Sequence, residues 1–218
     1  MIATSVFSIL LLLSLAGFLQ IGQLFYKGVN ITRTSDVSNQ IMSAIKDDIS
    51  FDTGTATIAR QPATPVTEQA ITYQRFYFCA GFNRYAGVLG RLVNSDEAAA
   101  ELNGGSASNA GAGWYKFGLL KEKYSGVGCP NPFSGSGTRI NKDNATVLLG
   151  DNMRLSNLTI TSPANSLYTL NVHIAYGINE VLTNPPTSTA VKCQSGASFS
   201  RYCFVTDVKT TVRQGLQP

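Results

Sequence analysis

Charge is scarce in this chain and unevenly placed. Charged side chains make up 14% of the 218 residues. None lies between Met1 and Tyr26, and the first acid is Asp36. There is one histidine, His173, far along the chain from any close pair of cysteines, and no Cys-x-x-Cys, so the common zinc arrangements are excluded. No Gly-x-Ser-x-Gly nucleophile turn occurs. The acidic neighbours Asp47-Asp48 and Asp96-Glu97 would diverge by about 100° on a helix, so neither forms a convergent acid–base pair. They read as solvated. Asp143-Asn144 and Asp151-Asn152 supply oxygen donors of the kind calcium takes, but without EF-hand spacing. No catalytic residue, metal or cofactor is expected, and His173 reads as a sheet-face histidine. The chain reads as a non-enzyme.

Basic clusters are missing as well. The net charge is +4, yet Lys121, Lys123, Arg139, Lys142, Arg154, Lys209 and Arg213 are well separated. They read as a solvated surface rather than a nucleic-acid footprint. The sequons at Asn30, Asn144 and Asn157 are easily met by chance in a chain rich in Asn and Thr. Cysteine is sparse but even in number: Cys79, Cys129, Cys193 and Cys203. In an exported domain this suggests two disulfides, for which three pairings exist. Cys193 with Cys203 is the local choice, and Cys79 with Cys129 then follows by elimination. The alternative is four free thiols in a reducing compartment.

What the chain has in abundance is an apolar beginning. The run Val6, Phe7, Ile9, Leu10, Leu11, Leu12 and Leu13 lies in an uncharged stretch long enough to cross a bilayer core, about 20 residues. Beyond Lys27 the composition turns polar, but Val37, Ile41, Ile45 and Ile49 recur every four residues and mark one helical face. A single helix from Met1 to about Ser50 would be on the order of 75 Å long. Residues 1–26 are expected to form a membrane or filament-core half, residues 27–50 an amphipathic half, and residues 51–218 a β-rich globular head.

Ser14-Leu15-Ala16 has the form of a signal-peptidase site. Against cleavage stand the lack of a basic n-region, the continuation of the run through Phe18, Leu19, Ile21, Leu24 and Phe25, and the unbroken stripe after it. A retained anchor is expected. Lys27, Arg33 and Lys46 follow the apolar run, which by itself would place the head inside. The cysteines and the Ser/Thr/Asn-rich composition argue for outside, and that orientation is adopted.

Along the head, Asp52-Thr53-Gly54 signals the helix end. Gly17, Gly22 and Gly28 mark places where the helix would bend, melt or pack closely. Residues 52–69, with Pro62 and Pro65, read as a linker with one short strand at Ala56–Arg60. Strands are expected at Ile71–Cys79, Gly87–Leu92 and Trp114–Lys123, with a brief helix at Asp96–Leu102. Asn103–Gly113 and Ser125–Gly137 read as coil. The strongest strand signals come last: Met153–Thr161, Leu167–Tyr176 and Phe204–Arg213. These three can form an antiparallel sheet with one apolar face, which needs a cover. The Val37–Ile49 stripe is the obvious one, at roughly 1.5–3 kcal/mol for each buried aliphatic.

A charge-free aliphatic start, an amphipathic continuation, a sheet laid on the second half and a late Cys-to-Cys loop resemble the type IV pilins and pseudopilins. Met1-Ile-Ala-Thr-Ser-Val-Phe-Ser-Ile-Leu-Leu-Leu-Leu13 is similar to the interior of the prepilin methylation segment. In that family this segment follows a Gly-Phe-Thr-Leu-Ile/Val-Glu cleavage motif. Leu148–Ile160, Val172-His-Ile-Ala-Tyr176 and Cys203-Phe-Val-Thr-Asp-Val208 resemble minor pilin-like proteins of Gram-positive-type or small-genome bacteria. Residues 52–145 carry no resemblance. The cleavage motif and the early acidic residue of the family are both missing, so the expectation is that the processed end of the helix lies upstream of Met1. The resemblance implies an α+β pilin fold and a structural role, as a minor subunit of a bacterial pilus or related filament. It implies other pilin subunits and the membrane as partners, with extracellular surfaces or DNA as further candidates. Adhesion, twitching motility, DNA uptake and secretion are the implied processes. A non-polymerising, membrane-anchored extracellular binding domain is the alternative.

Overall fold

The computed structural model describes residues 2–52, 58–94, 96–99, 116–124, 126, 128–134, 140–164, 166–183, 191–196 and 202–215. The fold is α+β: one long N-terminal helix followed by antiparallel sheets. Helix α1 runs unbroken from Ile2 to Ser50, 49 residues. Gly17, Gly22 and Gly28 do not interrupt it. A Cβ at any of the three would meet nothing within 4 Å, so among the described residues they mark no close approach.

The strands are β1 (Gln61–Glu68), β2 (Ile71–Ala80), β3 (Asn83–Val88), β4 (Leu119–Lys123), β5 (Ala145–Val147), β6 (Met153–Ala164), β7 (Leu167–Tyr176), β8 (Leu182–Thr183), β9 (Lys192–Cys193) and β10 (Phe204–Arg213). They form a five-stranded sheet in the order β1-β2-β3-β4-β5, a three-stranded sheet in the order β10-β7-β6, and the small pair β8-β9.

In the three-stranded sheet the alternation seen in the sequence sets the two faces. Leu170, Val172 and Ile174 of β7 are fully buried, as are Met153, Leu155 and Leu158 of β6. α1 lies against this face and touches β10 and β7. The opposite face carries Asn157, His173 and Asp207 in one cross-strand row and Thr159, Asn171 and Lys209 in the next.

The first sheet differs from the sequence reading in several places. Residues 58–60 are not strand, and 53–57 lie outside the described residues. The strand comes later, at Gln61–Glu68, across the two prolines. This is possible because β1 is an edge strand whose register shifts between Ala63 and Val66, so the missing N–H groups need no partner. The expected strand at Gly87–Leu92 is really β3, displaced toward Asn83. Gly87 stands opposite Phe76, and a Cβ there would clash with the Phe76 ring at its Cζ. Residues 90–93 instead run beside β6, with Gly90 N–H donating to Leu155 O and Val93 N–H to Met153 O, at 2.8 and 2.9 Å. This seam ties the two sheets into one core. The expected Trp114–Lys123 strand shrinks to Leu119–Lys123, because residues 116–118 turn and 114–115 lie outside the described residues. Residues 96–99 are helical, and the 103–113 loop lies outside the described residues.

Candidate functional site

The site is α1 itself, and it divides at about Thr34. C-terminal to that point the helix is built into the head. Thr34, Ser38, Ile41, Ile45 and Ile49 are fully buried, Met42 is nearly so, and Val37 is partly buried beside them. From Thr34 to Ile49 the spacings of four, three, four and four residues keep the fully buried side chains on one face. Thr34 satisfies its buried hydroxyl by donating to Asn30 O at 2.8 Å. The seam thus starts about two turns later than the Lys27 composition break suggests. The amphipathic half is shorter than its polar residues imply.

The helix ends against its own dipole. Asp47 and Asp48 occupy its last turn, and that turn contains no basic residue. Two acids there are unfavourable unless cations are supplied from elsewhere. Lys121 of β4 places Nζ 2.9 Å from Asp48 Oδ2, and the Tyr85 hydroxyl of β3 donates to the same oxygen. Burial, then the bond to Asp48, pushes the Tyr85 hydroxyl far above its ordinary value, so it stays protonated and donates to Asp48. Asp48 and Lys121 are therefore corrected from solvated surface charges to a latch between the helix end and the first sheet. An acid in the final turn with no local cation was the available sequence signal. Gly81, at φ +56°, lets the β2–β3 turn approach this end, since a Cβ there would lie 2.9 Å from Asp48 O.

N-terminal to Thr34 the helix leaves the fold. Val6, Phe7, Ile9, Leu10, Leu11, Leu12 and Leu13 are each 51–66% exposed, although successive residues point around the whole helix. Phe18, Leu19, Ile21, Leu24 and Phe25 continue this surface. The helix is long and apolar enough to cross a membrane, and none of its most apolar window is buried by the rest of the chain. A helix apolar all round needs lipid or other protein about it. Where it emerges, a groove of about 620 Å³ opens along Phe25, Val29, Arg33, Asp36 and Gln40.

The cysteines bond as Cys79–Cys129 and Cys193–Cys203, with Cα separations of 5.7 and 5.6 Å. The first lies beside a buried ion pair that composition did not reveal. Arg84 and Glu122 stand opposite each other on β3 and β4 at 2.6 Å and are only 1% and 3% exposed. Arg84 also donates to Pro130 O, and Glu122 Oε1 accepts the Asn141 N–H. The pair thereby holds the coil carrying Cys129 onto the sheet.

Arg154 also departs from the solvated reading. It is 1% exposed and donates to Asn179 Oδ1 and Gly177 O at 2.7 and 2.9 Å. Burial lowers its guanidinium to about 10, which keeps it charged at neutral pH. His173 lies on the outer face opposite Asp207. Burial lowers its pKa, and Asp207 acts in the other direction. Asp143-Asn144 and Asp151-Asn152 fall in separate turns. Among the described residues no three His, Cys, Asp or Glu side chains gather as a metal set. Of the three sequons, Asn30 is helical, Asn144 is exposed in a 3-10 turn, and Asn157 lies in β6.

No family model, curated protein or solved structure matches this chain.

Proposed function

We propose that the chain is a non-catalytic structural subunit of a bacterial type IV pilus or related filament, anchored in the cell membrane before assembly with its head outside. One observation carries the reading: a single rigid helix is half built into a disulfide-bonded head and half stripped of any partner in its own chain. Such a helix can hand its apolar half from lipid to neighbouring helices without refolding the head. The resemblance of Met1–Leu13 to the pilin methylation segment supports the same conclusion, and the long loops favour a minor subunit. The assay is fractionation of expressing cells, followed by shearing and oxidative cross-linking of Leu13→Cys. Membrane retention together with disulfide-linked dimers in the sheared fraction is expected, because each chain then carries one unpaired thiol. A protein found only in the soluble fraction would sink the proposal.

A second reading is an anchored binding domain that never polymerises: the exposed apolar half of α1 is long enough to cross a membrane, and lipid alone can cover it. Membrane retention with only monomers after cross-linking would select it.

A further inference from the structure

Most sheet edges in this fold are blunted. β1 carries two prolines and a register shift, β5 has three residues, and β6 is flanked by residues 90–93 and broken by two register shifts. β10 has none of these protections. It runs ten residues without a proline, in unbroken register with β7, at the edge of its sheet. Among the described residues no backbone hydrogen bond reaches it from its outer side. In an antiparallel ladder alternate residues aim N–H and C=O away from the partner strand. A long regular edge of this kind is a template for another strand.

The side chains along this edge say which strand fits. We propose that β10 pairs antiparallel with β10 of a second copy, in the register centred on Val208. That register sets Asp207 against Lys209 of the other copy, twice by symmetry. On the inner face it sets Phe204 against Val212, Thr206 against Thr210, and Val208 against itself. Asp207 and Lys209 are exposed, and neither joins an ion pair within the described residues. Centring on Asp207 or on Lys209 instead would oppose like charges, which is unfavourable. The contact is isologous, so it closes at two copies.

Its geometry has a further consequence, which rests on the anchored reading of α1. The two-fold axis is perpendicular to the joined six-stranded sheet and reverses every direction within it. α1 lies flat against the inner face of that sheet. The two helices therefore leave the pair in opposite directions. Two heads on the same side of one membrane cannot join in this way. Copies on facing membranes or facing filaments can, so β10 is a homophilic contact between surfaces.

The test uses the full chain reconstituted into phosphatidylcholine vesicles of two colours. Flotation on a density gradient reads anchoring, and two-colour clustering reads pairing. Wild-type vesicles are expected to float and cluster. Asp207→Lys and Lys209→Asp each place like charges at both contacts, so each alone is expected to lose clustering on the order of tenfold. Mixing D207K vesicles with K209D vesicles restores opposite charges at both contacts and is expected to restore clustering between colours only. Floating wild-type vesicles that do not cluster, single variants that cluster like wild type, or a mixture that stays dispersed would each overturn the pairing. Failure to float would overturn the anchored reading instead. Sedimentation of the same variants in detergent would then decide the pairing, with a wild-type dimer supporting it and a wild-type monomer overturning it.

Discussion

Truncating Ile45 to alanine separates the two halves of α1 by experiment. Ile45 is fully buried in the seam between the helix and the three-stranded sheet. Its neighbours Ile41 and Ile49 sit one turn to either side, and across the seam Val172 and Ile174 are fixed by ladders on both sides. The hole left by the lost atoms cannot close easily. Large-to-small core changes of this kind cost about 2–5 kcal/mol, and a site that cannot collapse belongs in the upper half. About 3.5 kcal/mol is expected. For a domain of this size, roughly 2–4 °C of melting temperature goes with each kcal/mol, so the head should melt roughly 7–14 °C lower. Leu13→Ala removes similar atoms from the same helix, but Leu13 is 65% exposed and touches nothing in the head. Its effect on head melting should stay within about 0.5 kcal/mol. The measurement is near-ultraviolet circular dichroism of the full chain in detergent during heating. Equal melting temperatures for the two variants, or Ile45→Ala within about 1 kcal/mol of wild type, would refute the two-part helix.

The other outcomes follow from the head. Alkylation of the native protein should leave all four cysteines unmodified. On chain-entropy arithmetic the 10- and 50-residue separations contribute about 2.7 and about 4 kcal/mol, so reduction should lower denaturant midpoints, and Cys79→Ser should be the more damaging single change. Glu122→Ala strands Arg84 in the core and should cost about 3–5 kcal/mol, read in urea melts. A loss under 1 kcal/mol would mean that water reaches the guanidinium. The folded pKa of His173 lies below its unfolded value of about 6.5, so the unfolded chain takes up the proton first. Stability present above that value should fall as pH drops through the lower folded pKa, and His173→Gln should flatten this slope. An unchanged slope would assign it to other groups.

The parts of the fold legible in the sequence are those where a period is visible. Val37, Ile41, Ile45 and Ile49 repeat at a helical spacing, and Tyr168 to Tyr176 alternate, so helix, strands and the face joining them could be read directly. β1 was hidden because prolines argue against strands unless the strand is already known to be an edge. β3 was hidden because Arg84 and Gly87 break its apolar alternation, while the core accepts them through the ion pair with Glu122 of β4 and the covering Phe76 ring. The buried arginines share one cause: residue type predicts a surface position, and only the tertiary partners reverse it. Of the candidate site, the apolar half of α1 was plain from composition. The Asp48–Lys121–Tyr85 latch was not, since its members lie 73 and 37 residues apart.

That latch has a mechanical meaning. A pull on the emerging end of α1 enters the head along the helix axis. The seam from Thr34 to Ile49 is then loaded in shear, so its side chains resist together rather than peeling one at a time. Asp48 stands at the end of the helix remote from the pull, with Lys121 on β4 and Tyr85 on β3 behind it. Traction is passed from the sheet under the helix to the second sheet, where Cys79–Cys129 crosses to the coil. On the proposed filament reading, this is the path along which the stem would drag the head.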